Sequence, residues 1–130
     1  MSSEARSARA STTEARVAVV VVTFSRADLL ERMLAERMEE SLSNLFRLLA
    51  ERGYAVVHFD VRGTGNSGGS TQDIYSDTER KDAYDMVEWI AAQPWCTGKI
   101  GTIGGSYAGA TQYRMAPTRP PHLRAMYVRE

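Results

Sequence analysis

Seven residues, Val17 to Thr23 (VAVVVVT), constrain this chain more than any other stretch. They are apolar almost without interruption and mostly β-branched, the pattern of a strand buried on both faces of a parallel sheet. Such a strand needs cover on two sides, and the residues that follow supply it. Ala27 to about Arg52 is rich in Leu, Met, Glu and Arg, and Leu42, Leu45, Phe46 and Leu49 share one helical stripe. Ser41, Ser43 and Asn44 leave open a division into two helices. Gly53 then stops the helix, and Tyr54 to Asp60 (YAVVHFD) reads as a second strand entering a glycine-rich turn.

The alternation continues to the end of the chain. Ser76 and Glu79 have the spacing of a capping box, opening a helix whose Ala83, Met86, Val87, Ile90 and Ala91 lie on one face and which Pro94 closes. Lys99 to Ile103 is a third short strand, followed by a tight turn and a helix that Pro117, Pro120 and Pro121 break. Leu123 to Val128 is a fourth. The class is therefore α/β, a mostly parallel sheet of about four strands flanked by helices.

Sixteen basic residues balance sixteen acidic ones, so no net field draws nucleic acid or an anionic membrane. The lone Cys96 rules out an internal disulfide and a thiolate metal cluster, and reads as a small buried hydrophobe. No apolar run approaches the roughly 20 residues of a membrane-spanning helix. Met1 to Arg16 is polar, lacks the apolar centre of an export signal, and reads as a disordered tail ahead of one domain over residues 17–130. A cytoplasmic location is the resulting expectation.

The residues with the clearest chemical meaning are Gly104-Gly105-Ser106-Tyr107-Ala108-Gly109, between a strand and a helix. A nucleophile elbow needs that context: a strained turn lifts the serine hydroxyl clear of the sheet, and small neighbours let the crowded backbone pass. Gly104 supplies one small neighbour. Ala108 stands where the strict G-x-S-x-G pattern has glycine, one methyl group too many, and Gly109 follows it. In this arrangement Ser106 attacks an acyl carbon while the Tyr107 backbone N–H faces the developing oxyanion.

Three blocks, Arg52 to Gly69 (RGYAVVHFDVRGTGNSGG), Asp82 to Gly109 (DAYDMVEWIAAQPWCTGKIGTIGGSYAG) and Pro120 to Val128 (PPHLRAMYV), resemble the cocaine-esterase-like and X-prolyl dipeptidyl-peptidase-like (CocE/NonD-type) α/β-hydrolases. The resemblance implies a partial α/β-hydrolase fold and a serine hydrolase of small ester or peptide substrates, working without metal or cofactor. It matches Ser106 to the nucleophile and Tyr107 to one oxyanion donor. The family's second donor is a tyrosine hydroxyl, and Phe24 or Ser25 stands in that place. The family's acid and histidine lie downstream and have no counterpart here. The resemblance also puts the strands at Val17 and Lys99 in the centre of the sheet and those at Tyr54 and Leu123 outside, with unpaired edges open to self-association.

Other polar residues read as framework. His58 is expected within the sheet, and His122 falls at the wrong point of the order nucleophile, acid, histidine. Asp60 and Arg62 belong to the turn, Asp82 and Asp85 to the charged face of a helix, and Trp89 and Trp95 to core and turn packing. Two rival readings stand beside the hydrolase. Gly63, Gly65 and Gly68 satisfy G-x-G-x-x-G after a strand, the fingerprint of a dinucleotide site, although no helical periodicity follows. Alternatively, the chain is a catalytically incompetent fragment of such a hydrolase.

Overall fold

The computed structural model describes residues 43–70 and 73–129 and the backbone of residues 16–23. The tail reading, the start of the first helical region and the loop holding Phe24 and Ser25 lie outside the described residues. Arg16, counted above with the tail, opens the first strand.

The elements run β1 (Arg16–Thr23), α1 (residues 43–51), β2 (Ala55–Asp60), α2 (Asp77–Ala91), β3 (Cys96–Gly105), α3 (Tyr107–Met115), a 3-10 turn at Ala116–Thr118, and β4 (Leu123–Arg129). The four strands form one sheet in the order β2-β1-β3-β4, parallel throughout. The apolar run that opened the sequence is thus an inner strand. Parallel pairing also means that every strand ends at the same edge, where the turns into the helices gather.

Helices α2 and α3 cover one face of the sheet. Val87 and Ile90 of α2, Ile100 of β3 and Met115 of α3 are buried together, flanked by Val57, Phe59, Ala83, Met86, Trp95 and Cys96. Burying a side chain such as Ile90 contributes about 2 kcal/mol. On β2 alternate residues point the other way, and His58 meets Phe46 of α1 with ring centroids 5.5 Å apart. Helix α1 therefore belongs to the opposite face, and His58 is exposed beside it instead of enclosed by the sheet.

Two further expectations need correction. Trp89 is 58% exposed on the outer side of α2, so it is not a core residue. Strand β3 also reaches well beyond Lys99 to Ile103. Its first pairing with β1 is Arg16 to Cys96 and its next is Ala18 to Ile100, so β3 uses four residues where β1 uses two. Gly98, at φ +75, absorbs the excess in a bulge open to glycine.

Candidate active site

Ser106 sits where β3 ends and α3 begins, at the edge shared by the carboxyl ends of the strands. Serine before a helix usually has extended backbone and caps the first turn with its hydroxyl. Ser106 does neither. Its φ of 51 and ψ of −122 lie in territory that glycine visits freely and L-residues rarely do, and its side chain makes no capping bond to α3. The bend is fixed from both sides by backbone. Ser106 N–H donates to Arg129 C=O at 3.0 Å, and Ser106 C=O accepts from the Gly109 and Ala110 amides at 3.0 Å each. The residue is exposed, and Tyr107 follows as the first residue of the helix.

The glycines around the turn differ in how far the packing demands them. A Cβ on Gly104 would stand 2.7 Å from Ala108 Cβ and 2.8 Å from Ala108 O, so the methyl group that breaks the strict motif is accommodated by the missing one at Gly104. A Cβ on Gly109 would meet Val128 Cγ1 at 2.9 Å, because α3 passes tightly over β4 there. At Gly105 the nearest atom is 3.4 Å away, an ordinary contact.

Two polar clusters brace this turn, and neither stands out in the sequence as part of a site. Beneath it, Gln112 is buried on α3: its Oε1 accepts from Thr102 Oγ1 at 2.7 Å, and its Nε2 donates to Ala108 C=O at 3.0 Å and Tyr127 C=O at 3.4 Å. One amide thereby ties together α3, β3 and β4. Beside the turn, the Tyr107 phenol donates to Glu79 Oε1, and the two tyrosine rings of Tyr75 and Tyr107 stack at 5.1 Å. Burial, reinforced by the hydrogen bond to Glu79 and its charge, pushes the Tyr107 phenol far above the ordinary tyrosine range. The capping box of α2 is present in altered form. Ser76 Oγ accepts from the Glu79 amide at 3.2 Å, whereas the Glu79 carboxylate reaches the Tyr75 amide, at 2.6 Å, one residue before the cap.

Neither histidine is near Ser106. His122 precedes β4, whose Leu123 pairs with Ile100, and Ser106 lies six residues beyond Ile100, about 20 Å along the sheet at ~3.3 Å per residue. His122 Nδ1 is bonded there to Glu88 Oε2 at 2.6 Å, and its amide donates to Glu88 Oε1 at 3.3 Å. His58 is two strands away on the α1 face.

The glycine-rich loop after β2 folds back on itself. Gly63 N–H donates to Gly68 C=O at 3.1 Å, the Asp60 carboxylate accepts from the Asn66 amide at 3.1 Å, and Ser67 Oγ donates to Asp60 C=O at 2.6 Å. A Cβ on Gly65 would stand 2.0 Å from Asp60 Oδ2, so this glycine serves the turn itself. Among the described residues the next helix begins only at Asp77, which leaves no helix N-terminus at the loop for a pyrophosphate. Asp60 is framework, as expected. Arg62 is framework of a different kind: it forms a two-pronged pair with Asp82, Nε to Oδ2 at 2.7 Å and Nη2 to Oδ1 at 2.6 Å, pinning the loop to α2. Asp82 is therefore no simple solvated helix charge, while Asp85 is, paired on the surface with Lys81.

Among the described residues no group of His, Cys, Asp and Glu is arranged to hold a metal ion, and no helix is long and apolar enough to cross a membrane.

The sequence profile of the X-Pro dipeptidyl-peptidase family, S15, matches residues 3–130. A Mycobacterium bovis protein assigned as a serine esterase is 36% identical over 80 residues, 62% of this chain and 13% of its own length. The cocaine esterase of a Rhodococcus species is 40% identical over 74 residues, 57% of this chain and 12% of its own. The crystal structure of a CocE/NonD family hydrolase from Staphylococcus aureus superimposes with a TM-score of 0.65 at 25% identity, covering 87% of this chain and 22% of that one. The chain thus spans about an eighth of the length of these curated relatives, and its fold is part of an α/β-hydrolase. The sheet order, the bend at Ser106 and the profile match over nearly the whole sequence lead to one assignment: this chain belongs to the X-Pro dipeptidyl-peptidase (S15) family.

Proposed function

We propose that this chain carries the nucleophile-bearing part of a serine hydrolase that cleaves small ester or amide and peptide substrates, with Ser106 as the nucleophile. The observation that carries the reading is the backbone of Ser106, bent at φ 51 and ψ −122 between a strand and a helix with its hydroxyl not spent on a cap. In the reaction Ser106 Oγ bonds to the acyl carbon and its proton passes to a base. The carbonyl oxygen becomes an oxyanion facing the Tyr107 amide, and collapse breaks the bond to the leaving alcohol or amine, which takes the proton. Water then releases the acid from the acyl-enzyme. The positions of His58 and His122 support a further point: neither supplies the base, so this chain alone acylates slowly and barely turns over.

An activated aryl ester tests this. The chain should release up to about one equivalent of phenol in a slow phase, the signature of acyl-enzyme accumulation, and Ser106→Ala should release none above background. Equal release by the variant would contradict the reading. The outer positions of β2 and β4 support self-association of the isolated chain, with Met126 and Tyr127 of β4 38% and 62% exposed. Sedimentation at increasing concentration should show it, and a strictly monomeric chain would refute it.

A further inference from the structure

Among the described residues Glu79 is the only charged one that is buried, 8% exposed, and its carboxylate joins two pieces of chain, the segment before α2 and the start of α3. Oε2 accepts from the Tyr75 amide at 2.6 Å, Oε1 accepts from the Tyr107 phenol, and its own amide donates to the cap residue Ser76 at 3.2 Å. Tyr75 is itself held at φ 60, and its ring stacks on that of Tyr107 at an interplanar angle of 27°. A carboxylate needed only to cap α2 would bond the amide of Ser76 and leave its second oxygen to water. Here both oxygens are used, one of them on the residue directly after Ser106. A buried acceptor with two oxygens can hold two donors at once; a primary amide in its place has one acceptor oxygen and would turn its NH2 toward one of the donors.

We propose that Glu79 is a positioning residue for the Ser106–Tyr107 turn: by holding the Tyr107 side chain against the start of α2, it fixes the direction in which the Tyr107 amide points. The catalytic meaning of this rests on the reading of Ser106 as nucleophile; the mechanical part does not. Tyr107 is anchored at two points, its backbone by the bend and its phenol by Glu79, and rotation of the first turn of α3 about its axis would have to break the second. The buried side chain of Gln112 restrains the same turn from below but touches only its far end, at Ala108 C=O, so the two braces act on different atoms.

The test compares Glu79→Gln, Tyr107→Phe and the double variant, by amide hydrogen exchange and by the rate at which a fluorophosphonate labels Ser106. Tyr107→Phe removes the bond at least cost to folding and decides the matter if Glu79→Gln does not fold. Exchange at the Ser106, Gly109 and Ala110 amides should rise about tenfold in either variant, the size of one buried hydrogen bond, with no further rise in the double. Exchange at Ile100, in the middle of β3, and at Ala92, at the far end of α2, should stay as in the wild type. Labelling should slow in parallel, and an ultraviolet difference titration should show the highest tyrosine ionisation returning toward the ordinary range in Glu79→Gln. Unchanged exchange at the turn, a uniform rise at all five amides, or a selective rise with unchanged labelling would each overturn the proposal. A wild-type chain that takes no label overturns the nucleophile reading instead, and exchange still decides whether Glu79 holds the turn.

Discussion

Ser76 and Ser106 occupy the same position, the residue before a helix, and are used in opposite ways. Ser76 has φ −70 and ψ 164, extended backbone that any residue adopts, and its hydroxyl accepts from the Glu79 amide. Ser106 has φ 51 and ψ −122 and no capping bond. The first serine spends its oxygen on the stability of α2. The second keeps its oxygen at a cost in backbone strain, and the neighbouring packing has to hold the strain in place. The difference teaches that residue type and helix position do not single out a candidate nucleophile; the backbone conformation is what separates these two serines.

The contrast can be broken most severely at Gly104. Gly104→Ala drives a methyl group to within 2.7 Å of Ala108 Cβ and 2.8 Å of a backbone oxygen, and should cost about 3 kcal/mol in denaturant unfolding along with the labelling of Ser106. If Gly104→Ala unfolds like the wild type, the turn is not packed as described. Strain offers the next handle. Ser106→Gly should be more stable than Ser106→Ala by about 1 to 2 kcal/mol, because glycine relieves the left-handed backbone and alanine does not. The same pair at position 76 should fall in the same order for a different reason: Ser76→Ala loses a cap at about 1 kcal/mol, and Ser76→Gly loses only a few tenths. Labelling of Ser106 should survive both changes at Ser76. The smallest effect belongs to Gly105→Ala, within about 0.5 kcal/mol of the wild type, since nothing lies closer than 3.4 Å to the added carbon and the backbone there has no positive φ. Thermal or urea unfolding of the two neighbouring glycine variants side by side would show the asymmetry directly.

Much of this was legible from the residues. A mostly β-branched apolar run marks an inner parallel strand because that environment favours it, and Ala83, Met86, Val87, Ile90 and Ala91 marked the buried face of α2 because their spacing follows the helix. What escaped was set by distance along the chain. The Arg62–Asp82 pair joins residues 20 apart and the Glu79–Tyr107 bond residues 28 apart, and no local pattern distinguishes a capping carboxylate from one that also holds a tyrosine. Trp89 misled because aromatic residues are mostly covered, yet its place on α2 faces outward. The extension of β3 depended on a bulge at Gly98, where glycine reads equally well as a turn. The conformation at Ser106 was anticipated from its small neighbours and its place between strand and helix, while the exchange of methyl groups between positions 104 and 108 became visible only once the two were seen in contact.

The central claim is that the bend, and not serine content or exposure, makes position 106 reactive. Peptide mapping of the chain after fluorophosphonate treatment tests it most directly. The account predicts an adduct on the peptide carrying Ser106 and none on the peptide carrying Ser76. An adduct shared between the two serines, or present on Ser76 alone, would contradict it.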